Sequence, residues 1–262
     1  MGAPDDVRLS FDEAVEVYDR VRPTYPAALF DVLFGMLSPE PEIVEVGPGT
    51  GQATKDLLVR GASVHAVEIG PAMAAKLRAN LPSERLQVTV GDFEEVPVGG
   101  GIADAVFSAT AYHWIARDAQ TDRPATILRP GGVVAIVELI QVDAPDDAGF
   151  FAASQRIYQR YGQGHTGPAA PRRSDVDPAL RSVLSADPRF TDVAVHRYDW
   201  DQTYSAAAYR ELMLSYSPTQ MMDEADRLAL LDEMEAFVHS DFGGVVTRPL
   251  VVTLTTATLA PA

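Results

Sequence analysis

Three glycines at alternate positions, Gly47, Gly49 and Gly51, lie in the run Glu45-Val46-Gly47-Pro48-Gly49-Thr50-Gly51. Glycine lets a backbone turn tightly and approach a ligand closely. A helix that opens on such a turn offers free N–H groups and a partial positive charge to an anion. The spacing is Gly-x-Gly-x-Gly, not the Gly-x-Gly-x-x-Gly of dinucleotide binders. Glu45, just before the turn, suits a cationic amino group better than a phosphate. A ligand with an amino-acid end, bearing both ammonium and carboxylate, meets both features. Glu68 closes the run Val64-His65-Ala66-Val67-Glu68. An acid about 20 residues beyond a glycine turn is placed to accept hydrogen bonds from ribose hydroxyls.

These residues do chemistry together only if strands and helices bring them to one edge. Ile43 to Val46 reads as a short buried strand, followed by the glycine turn and a helix from about Gln52 to Arg60. Ser63 to Val67, Leu86 to Val90, Ala103 to Ser108 and Val133 to Leu139 read as further strands. Helices are expected at Pro71–Asn80, with proline at its start, and at Ala119–Leu128. Arg129-Pro130-Gly131-Gly132 reads as a turn. Strands separated by such helices indicate βαβ units, a parallel sheet and ligands outside the carboxyl ends of the strands. Ahead of them, Phe11–Val21, capped by Ser10 with Glu13 three residues later, and Ala27–Leu37 read as helices. Beyond them, Phe150–Tyr161 reads as a helix and Gly162–Pro178 as a loop rich in Gly, Pro and Arg, together a lid over the ligand edge. Helices are expected at Ser205–Leu214 and Asp223–Val238. The strands Val193–Trp200 and Pro249–Leu259 are expected to close the sheet as antiparallel neighbours.

In this order and spacing the motifs resemble those of class I S-adenosylmethionine-dependent methyltransferases, over about residues 10 to 140. Glu45 to Gly51 resembles the first motif, and Glu68 the ribose-binding acid. Gly91-Asp92-Phe93 resembles the segment in which the acid meets the adenine amino group and the next residue flanks the ring. Asp104-Ala105-Val106-Phe107-Ser108 resembles the fourth strand, and Leu128-Arg129-Pro130-Gly131-Gly132 the turn before the fifth. The resemblance implies an α/β fold: a Rossmann-like, mostly parallel seven-stranded sheet with helices on both faces, N-terminal helices and a helical lid after the fifth strand. It implies one methyltransferase domain over residues 1–262, with a cofactor core at about 40–140 and an acceptor region at about 146–190 and 203–240. The implied cofactor is S-adenosylmethionine, released as S-adenosylhomocysteine. Gln52, Ile69 and Ser108 join Glu45, Gly47, Gly49, Gly51, Glu68, Asp92 and Phe93 as its expected contacts. Tyr18-Asp19-Arg20-Val21-Arg22-Pro23-Thr24-Tyr25-Pro26 resembles a segment of the small-molecule branch that folds over the cofactor. By that similarity Tyr18 and Arg22 reach the methionine carboxylate, where the planar fork of arginine suits the group.

Methyl transfer is a displacement at a sulfonium, so the protein must align the nucleophile and exclude water. A base is required only for a nucleophile that arrives protonated. Thr110-Ala111-Tyr112-His113-Trp114 follows the fourth strand and so faces the site. His113 is the candidate base or hydrogen-bond donor; a backbone-bonded structural histidine is the plain alternative. A similar His-Trp pair occurs in proteins resembling trans-aconitate methyltransferase, which esterify a carboxylate. The acceptor is expected against Tyr25, Tyr112, His113, Trp114, Tyr158 and Arg172. Tyr161, His165, Arg173, Tyr209 and Tyr216 are further candidates. Arg172-Arg173 would neutralise an acidic substrate or simply form a solvated loop.

Bulk composition narrows the classes. The chain has 262 residues, 47% of them hydrophobic and 22% charged, enough for a sizeable core. A net charge of -16 with no local basic cluster argues against a nucleic-acid partner. The absence of cysteine excludes disulfides and thiolate chemistry. The N-terminus does not read as a signal peptide, and no segment approaches the roughly 20 apolar residues of a membrane span. A cytoplasmic monomer or homodimer acting on a small molecule is the resulting expectation. The five histidines are dispersed, so no metal is expected. Two rivals stay open: a protein that binds S-adenosylmethionine without catalysis, and a nucleotide-dependent oxidoreductase.

Overall fold

The structure, a computed structural model, describes residues 15–143, 149–167 and 169–261. The expected cap at Ser10, its partner Glu13 and the acidic pair Asp146-Asp147 lie outside the described residues. The chain opens with helices α1 (Val15–Val21) and α2 (Ala27–Gly35). It then runs β1 (Glu42–Val46), α3 (Thr54–Val59), β2 (Ser63–Glu68), α4 (Pro71–Asn80), β3 (Leu86–Val90), β4 (Ala103–Ala109), α5 (Ala119–Ile127) and β5 (Leu128–Gln141). Next come α6 (Phe150–Arg160), α7 (Ala179–Ala186), β6 (Phe190–Asp199), β7 (Gln202–Ser205) and α8 (Ala206–Leu214). The chain ends with α9 (Ser217–Gln220), α10 (Glu224–Phe242), β8 (Val245–Arg248) and β9 (Leu250–Leu259).

Seven strands form one sheet in the order β3-β2-β1-β4-β5-β9-β6. The first five pair in parallel, and β9 lies antiparallel between β5 and β6. The sheet reverses direction of growth between β1 and β4, so a crevice opens beyond the carboxyl ends of those two strands. The central strands β1, β4 and β5 are mostly apolar and buried on both faces, as parallel strands under helices must be. One face packs Leu29, Phe30 and Leu33 of α2, Leu57 of α3 and Leu77 of α4 against the sheet. The other packs Ile127 of α5 and Leu180 and Leu184 of α7. A third cluster forms outside the sheet. Phe150 of α6 meets Tyr209 of α8 edge-on at 5.1 Å, and Phe237 of α10 at 6.2 Å. This is the helical region expected after the fifth strand.

The structure revises several boundaries. Gly51 N–H donates to Pro48 O, which prolongs the turn and delays α3 to Thr54. Arg129 to Gly132 is not a free turn but a bulge inside β5. Ala103 pairs with Leu128 and Ala105 with Val133, and Gly131 takes up the extra length at φ +82°. Helix α2 stops at Gly35, two residues early, and α10 runs on to Phe242 before a left-handed Gly243 cap. The antiparallel pair of β7 with β8 was not expected. Ser205 does start α8, where its side chain accepts from Ala208 N–H at 3.2 Å. Among the described residues no helix is long and apolar enough to cross a membrane.

Candidate active site

The turn after β1 is built from left-handed backbone that only glycine adopts cheaply. Gly47 and Gly49 sit at φ +63° and +59°. A side chain at Gly47 would collide with Ala111, and one at Gly49 would stand 3.3 Å from the ring of Tyr18. Glu68 at the end of β2 turns back to this loop. Its Oε2 accepts from Gly49 N–H and its Oε1 from Gly70 N–H, each at 2.9 Å. A carboxylate has about four acceptor sites, and two backbone donors fix its plane at the cavity wall.

Gly47, Gly49 and Glu68 open onto a cavity of about 490 Å³, within the range of cofactor sites. Ile69, Met73, Gly91 and Phe93 line it on the β2–β3 side. Tyr18 and Arg22 close it from α1 and the segment after it. The guanidinium of Arg22 lies 4.5 Å from the Tyr18 ring centre and 5.1 Å from that of Tyr216. Its Nη2 also donates to Ser215 O at 2.9 Å. Tyr158, Gln163 and Tyr216 form the far wall, with Ser217 and Thr219 beside them. The Tyr158 hydroxyl lies 3.0 Å from that of Tyr209, and Arg248 donates to the Tyr216 hydroxyl at 2.7 Å. Burial pushes the Tyr158 phenol up to about 12, so it stays a neutral hydroxyl. Ser217 Oγ is buried without a hydrogen-bond partner.

Above the turn, β4 ends in a strained step. Thr110 is β-branched yet sits at φ +60°. Its N–H donates to Val137 O at 2.9 Å, and its Oγ1 lies 3.2 Å from the Tyr25 hydroxyl. The step turns His113 and Trp114 into the cavity, their ring centres 4.7 Å apart. His113 opens its ring to the cavity but is flanked by protein. Desolvation, and then the Arg22 charge, hold its pKa below the ordinary imidazole value. At neutral pH it is an uncharged imidazole.

The structure thus gathers Tyr18, Arg22, Gly47, Gly49, Glu68, Ile69, Phe93, His113, Trp114 and Tyr158 around one cavity. The remaining expected contacts lie elsewhere. Glu45 is buried beneath the turn, where Thr54 Oγ1 donates to its Oε2 at 2.7 Å and Oε1 has no partner. Burial, with a smaller push from Glu68 and an opposing pull from Thr54, raises its pKa to about 8. Gly51 is required by packing: a Cβ there would stand 2.8 Å from Leu77 and Leu81. Gln52 donates to its neighbour Thr50 at 2.7 Å. Asp92 accepts from Glu94 N–H at 2.9 Å within its own turn. Ser108 is buried and braces β1 by donating to Val46 O at 2.8 Å. Tyr25 supports Thr110 from behind and does not line the cavity. Tyr112 does not line this cavity; it donates to Gln120 O at 2.7 Å and borders a smaller cavity on the other side of His113. Arg172 is exposed on the loop that pairs with Asp143, and Arg173 is tied to Asp201 at 2.5 Å. These two arginines form the solvated loop, not an acceptor wall.

Several lining residues carried no sequence signal of a site. Gln163, Ser217 and Thr219 reach the cavity only because α6 and α9 fold over the sheet edge. Of the later tyrosines, Tyr216 lines the cavity, whereas Tyr161 bonds to Glu233 and Tyr209 is buried behind Tyr158. Among the described residues no group of three metal-ligating side chains converges.

A family model described as "Methyltransferase domain" matches residues 44–136, the stretch from β1 to β5 that carries the turn and Glu68. An uncharacterised methyltransferase of Mycobacterium tuberculosis is 32% identical over 212 residues, covering 81% of this chain and 78% of that one. The malonyl-[acyl-carrier protein] O-methyltransferase of Halorhodospira halophila is 34% identical over 153 residues, covering 56% and 47%. A solved structure from Anaeromyxobacter dehalogenans superimposes with a TM-score of 0.60 at 22% identity, over 91% of this chain and 97% of the other.

Proposed function

The chain belongs to the class I S-adenosylmethionine-dependent methyltransferases, and from that premise we propose that it methylates an oxygen, carboxylate or hydroxyl, of a small-molecule acceptor. The observation that carries this reading is the distribution of charge around the cavity. Among the residues that line it, Glu68 is the one carboxylate, and it is bound to Gly49 and Gly70 at the turn. With Arg22 turned to the cofactor's carboxylate, the opposite wall offers Tyr158 and Tyr216 and the neutral imidazole of His113, with no further carboxylate. Neutral donors without a carboxylate favour an anionic or hydroxyl oxygen over an ammonium. The O-methyltransferase activity named for the Halorhodospira relative agrees with this choice.

When bound, S-adenosylmethionine supplies an electrophilic methyl group on a sulfonium. The residues of this chain fit it on two counts. The buried, unpartnered Ser217 Oγ faces the same cavity as the turn, and that cavity has one apolar end and one polar end. We assign Phe93, Ile69 and Met73 to the adenine, Glu68 to the ribose hydroxyls, and Tyr18, Arg22 and the turn to the amino-acid end. Trp114 and Tyr158 exclude water from the reacting centre. His113, held neutral, accepts the proton of a hydroxyl acceptor or donates to a carboxylate. The acidic surface and lack of a basic patch support a small-molecule acceptor, met in the cytoplasm, over nucleic acid.

A panel of carboxylic acids, phenols and amines, incubated with methyl-labelled S-adenosylmethionine, tests this directly. Label in an ester or ether is the expected product. Label confined to amines would overturn the oxygen assignment.

A further inference from the structure

A second cavity of about 330 Å³ lies on the other side of His113. His113, Thr110 and Ile115 line both cavities, so they form the partition between them. Ile136 and Val137 of β5 on one side and Leu180 and Val183 of α7 on the other form the apolar part of the second cavity, and Tyr112, Arg117 and Gln120 line the rest. One carboxylate interrupts this lining. Glu138, near the end of β5, has its Oε2 buried without any hydrogen-bond partner.

The donors nearby do not satisfy it. Gln120 Nε2 donates to the carbonyls of Ile115, at 3.2 Å, and Tyr112, at 3.4 Å. The Tyr112 hydroxyl donates to Gln120 O. Arg117 lines the same cavity but makes no bond to Glu138. A buried acceptor left unpaired keeps its full desolvation cost, greater when charged. A carboxylate oxygen buried beside Ile136 and Val137 without a partner therefore calls for a donor. Burial also raises the pKa of Glu138, which a cation beside it would reverse.

We propose that this second cavity holds the body of the methyl acceptor, and that the acceptor is an apolar primary amine whose ammonium sits on Glu138 while its reacting oxygen reaches His113. The inference rests on the methyl-transfer reading, since it places the acceptor opposite the donor cavity. It goes beyond that reading by naming a second recognition point and its chemistry. An alkyl or aryl body fills the space between Ile136 and Leu180. The ammonium meets the one unpaired carboxylate oxygen there. Glu138 is accordingly a specificity residue that does not touch the reacting atoms.

The test uses the full chain saturated with S-adenosylhomocysteine and two matched probes, phenethylamine and 2-phenylethanol. Calorimetry should show the amine binding at least about tenfold more tightly than the alcohol, since a hydrogen bond to a charged group is worth roughly 1.5–3 kcal/mol. Glu138→Gln, which keeps shape and removes charge, should bring the amine to the level of the alcohol. It should leave the affinity for S-adenosylhomocysteine unchanged. Equal affinities of the two probes for the unaltered protein would overturn the proposal without any variant. So would amine binding that survives Glu138→Gln, or no amine binding to a protein that takes up S-adenosylhomocysteine normally. Failure to bind S-adenosylhomocysteine at all would instead strike the methyl-transfer reading, and the two failures are distinct.

Discussion

The carboxylate of Glu68 accepts a hydrogen bond from the backbone N–H of Gly49 at 2.9 Å. The acid at the end of the second strand therefore shapes the glycine turn after the first, besides lining the cavity. Glu68→Gln replaces one acceptor oxygen with an N–H₂ that must face a backbone N–H. The affinity for S-adenosylhomocysteine should fall at least about tenfold, with a stability loss of about 1–3 kcal/mol. Titration and thermal unfolding of the same sample check both. Unchanged affinity would remove Glu68 from the site.

Gly49 and Gly51 of the turn should respond differently to alanine. At Gly49 the added methyl meets only the ring of Tyr18, at 3.3 Å, so Gly49→Ala should displace Tyr18 and weaken cofactor binding. The left-handed backbone adds about 1–2 kcal/mol of destabilisation. At Gly51 the methyl meets Leu77 and Leu81, at 2.8 Å. Gly51→Ala should therefore cost about 1–3 kcal/mol of stability by overpacking, with binding by the folded fraction little changed. Chemical denaturation beside calorimetry separates the cases. Equal effects on binding would contradict the packing role given to Gly51.

Glu45 gives a pH signature. Burial raises its folded pKa to about 8, above the usual carboxylate value, so protonation is favoured in the folded state. Its contribution is fully favourable below about pH 4.5 and is lost as pH rises through 8. Glu45→Gln removes the ionisation. Its melting temperature should approach that of the unaltered protein at pH 5 and exceed it increasingly up to pH 9. The gap at the alkaline end should be on the order of a few kcal/mol. A gap independent of pH would show that Glu45 stays ionised in the folded chain.

His113 tests the proposed oxygen acceptor. Desolvation and Arg22 keep it neutral, and the proposed acceptor oxygen is one that arrives already ionised. His113→Ala should then lower kcat by less than about 100-fold. General-base catalysis is typically worth about 100- to 10,000-fold. A loss above about 1000-fold would identify a hydroxyl acceptor and make His113 its base. In that case the rate would also fall in acid as the imidazole becomes charged, whereas with an ionised acceptor it should not follow the titration of His113.

The turn side of the cavity was legible in the sequence because it is local. Gly47 and Gly49 follow β1 and Glu68 ends β2, and neighbouring parallel strands necessarily bring those ends together. The alternation of elements likewise gave the sheet from β1 to β5. The acceptor half was not legible. Tyr216 and Ser217 face Tyr18 across nearly the whole chain, and only the packing of α6, α8 and α10 about Phe150 puts them there. The β7–β8 pair joins Gln202–Ser205 to Val245–Arg248, a long-range pairing that no local pattern discloses. Arg172 shows the opposite error. An arginine pair in an acidic chain drew notice by composition, yet the loop carries it into solvent. Gly51 and Ser108 belong to the right motifs but serve packing and strand bracing.

The most direct measurement is calorimetric titration of the purified chain with S-adenosylhomocysteine and, separately, with NADH. The account predicts one S-adenosylhomocysteine bound per chain, weakened at least about tenfold by Glu68→Gln, and no heat from NADH. Binding of NADH with none of S-adenosylhomocysteine would contradict it.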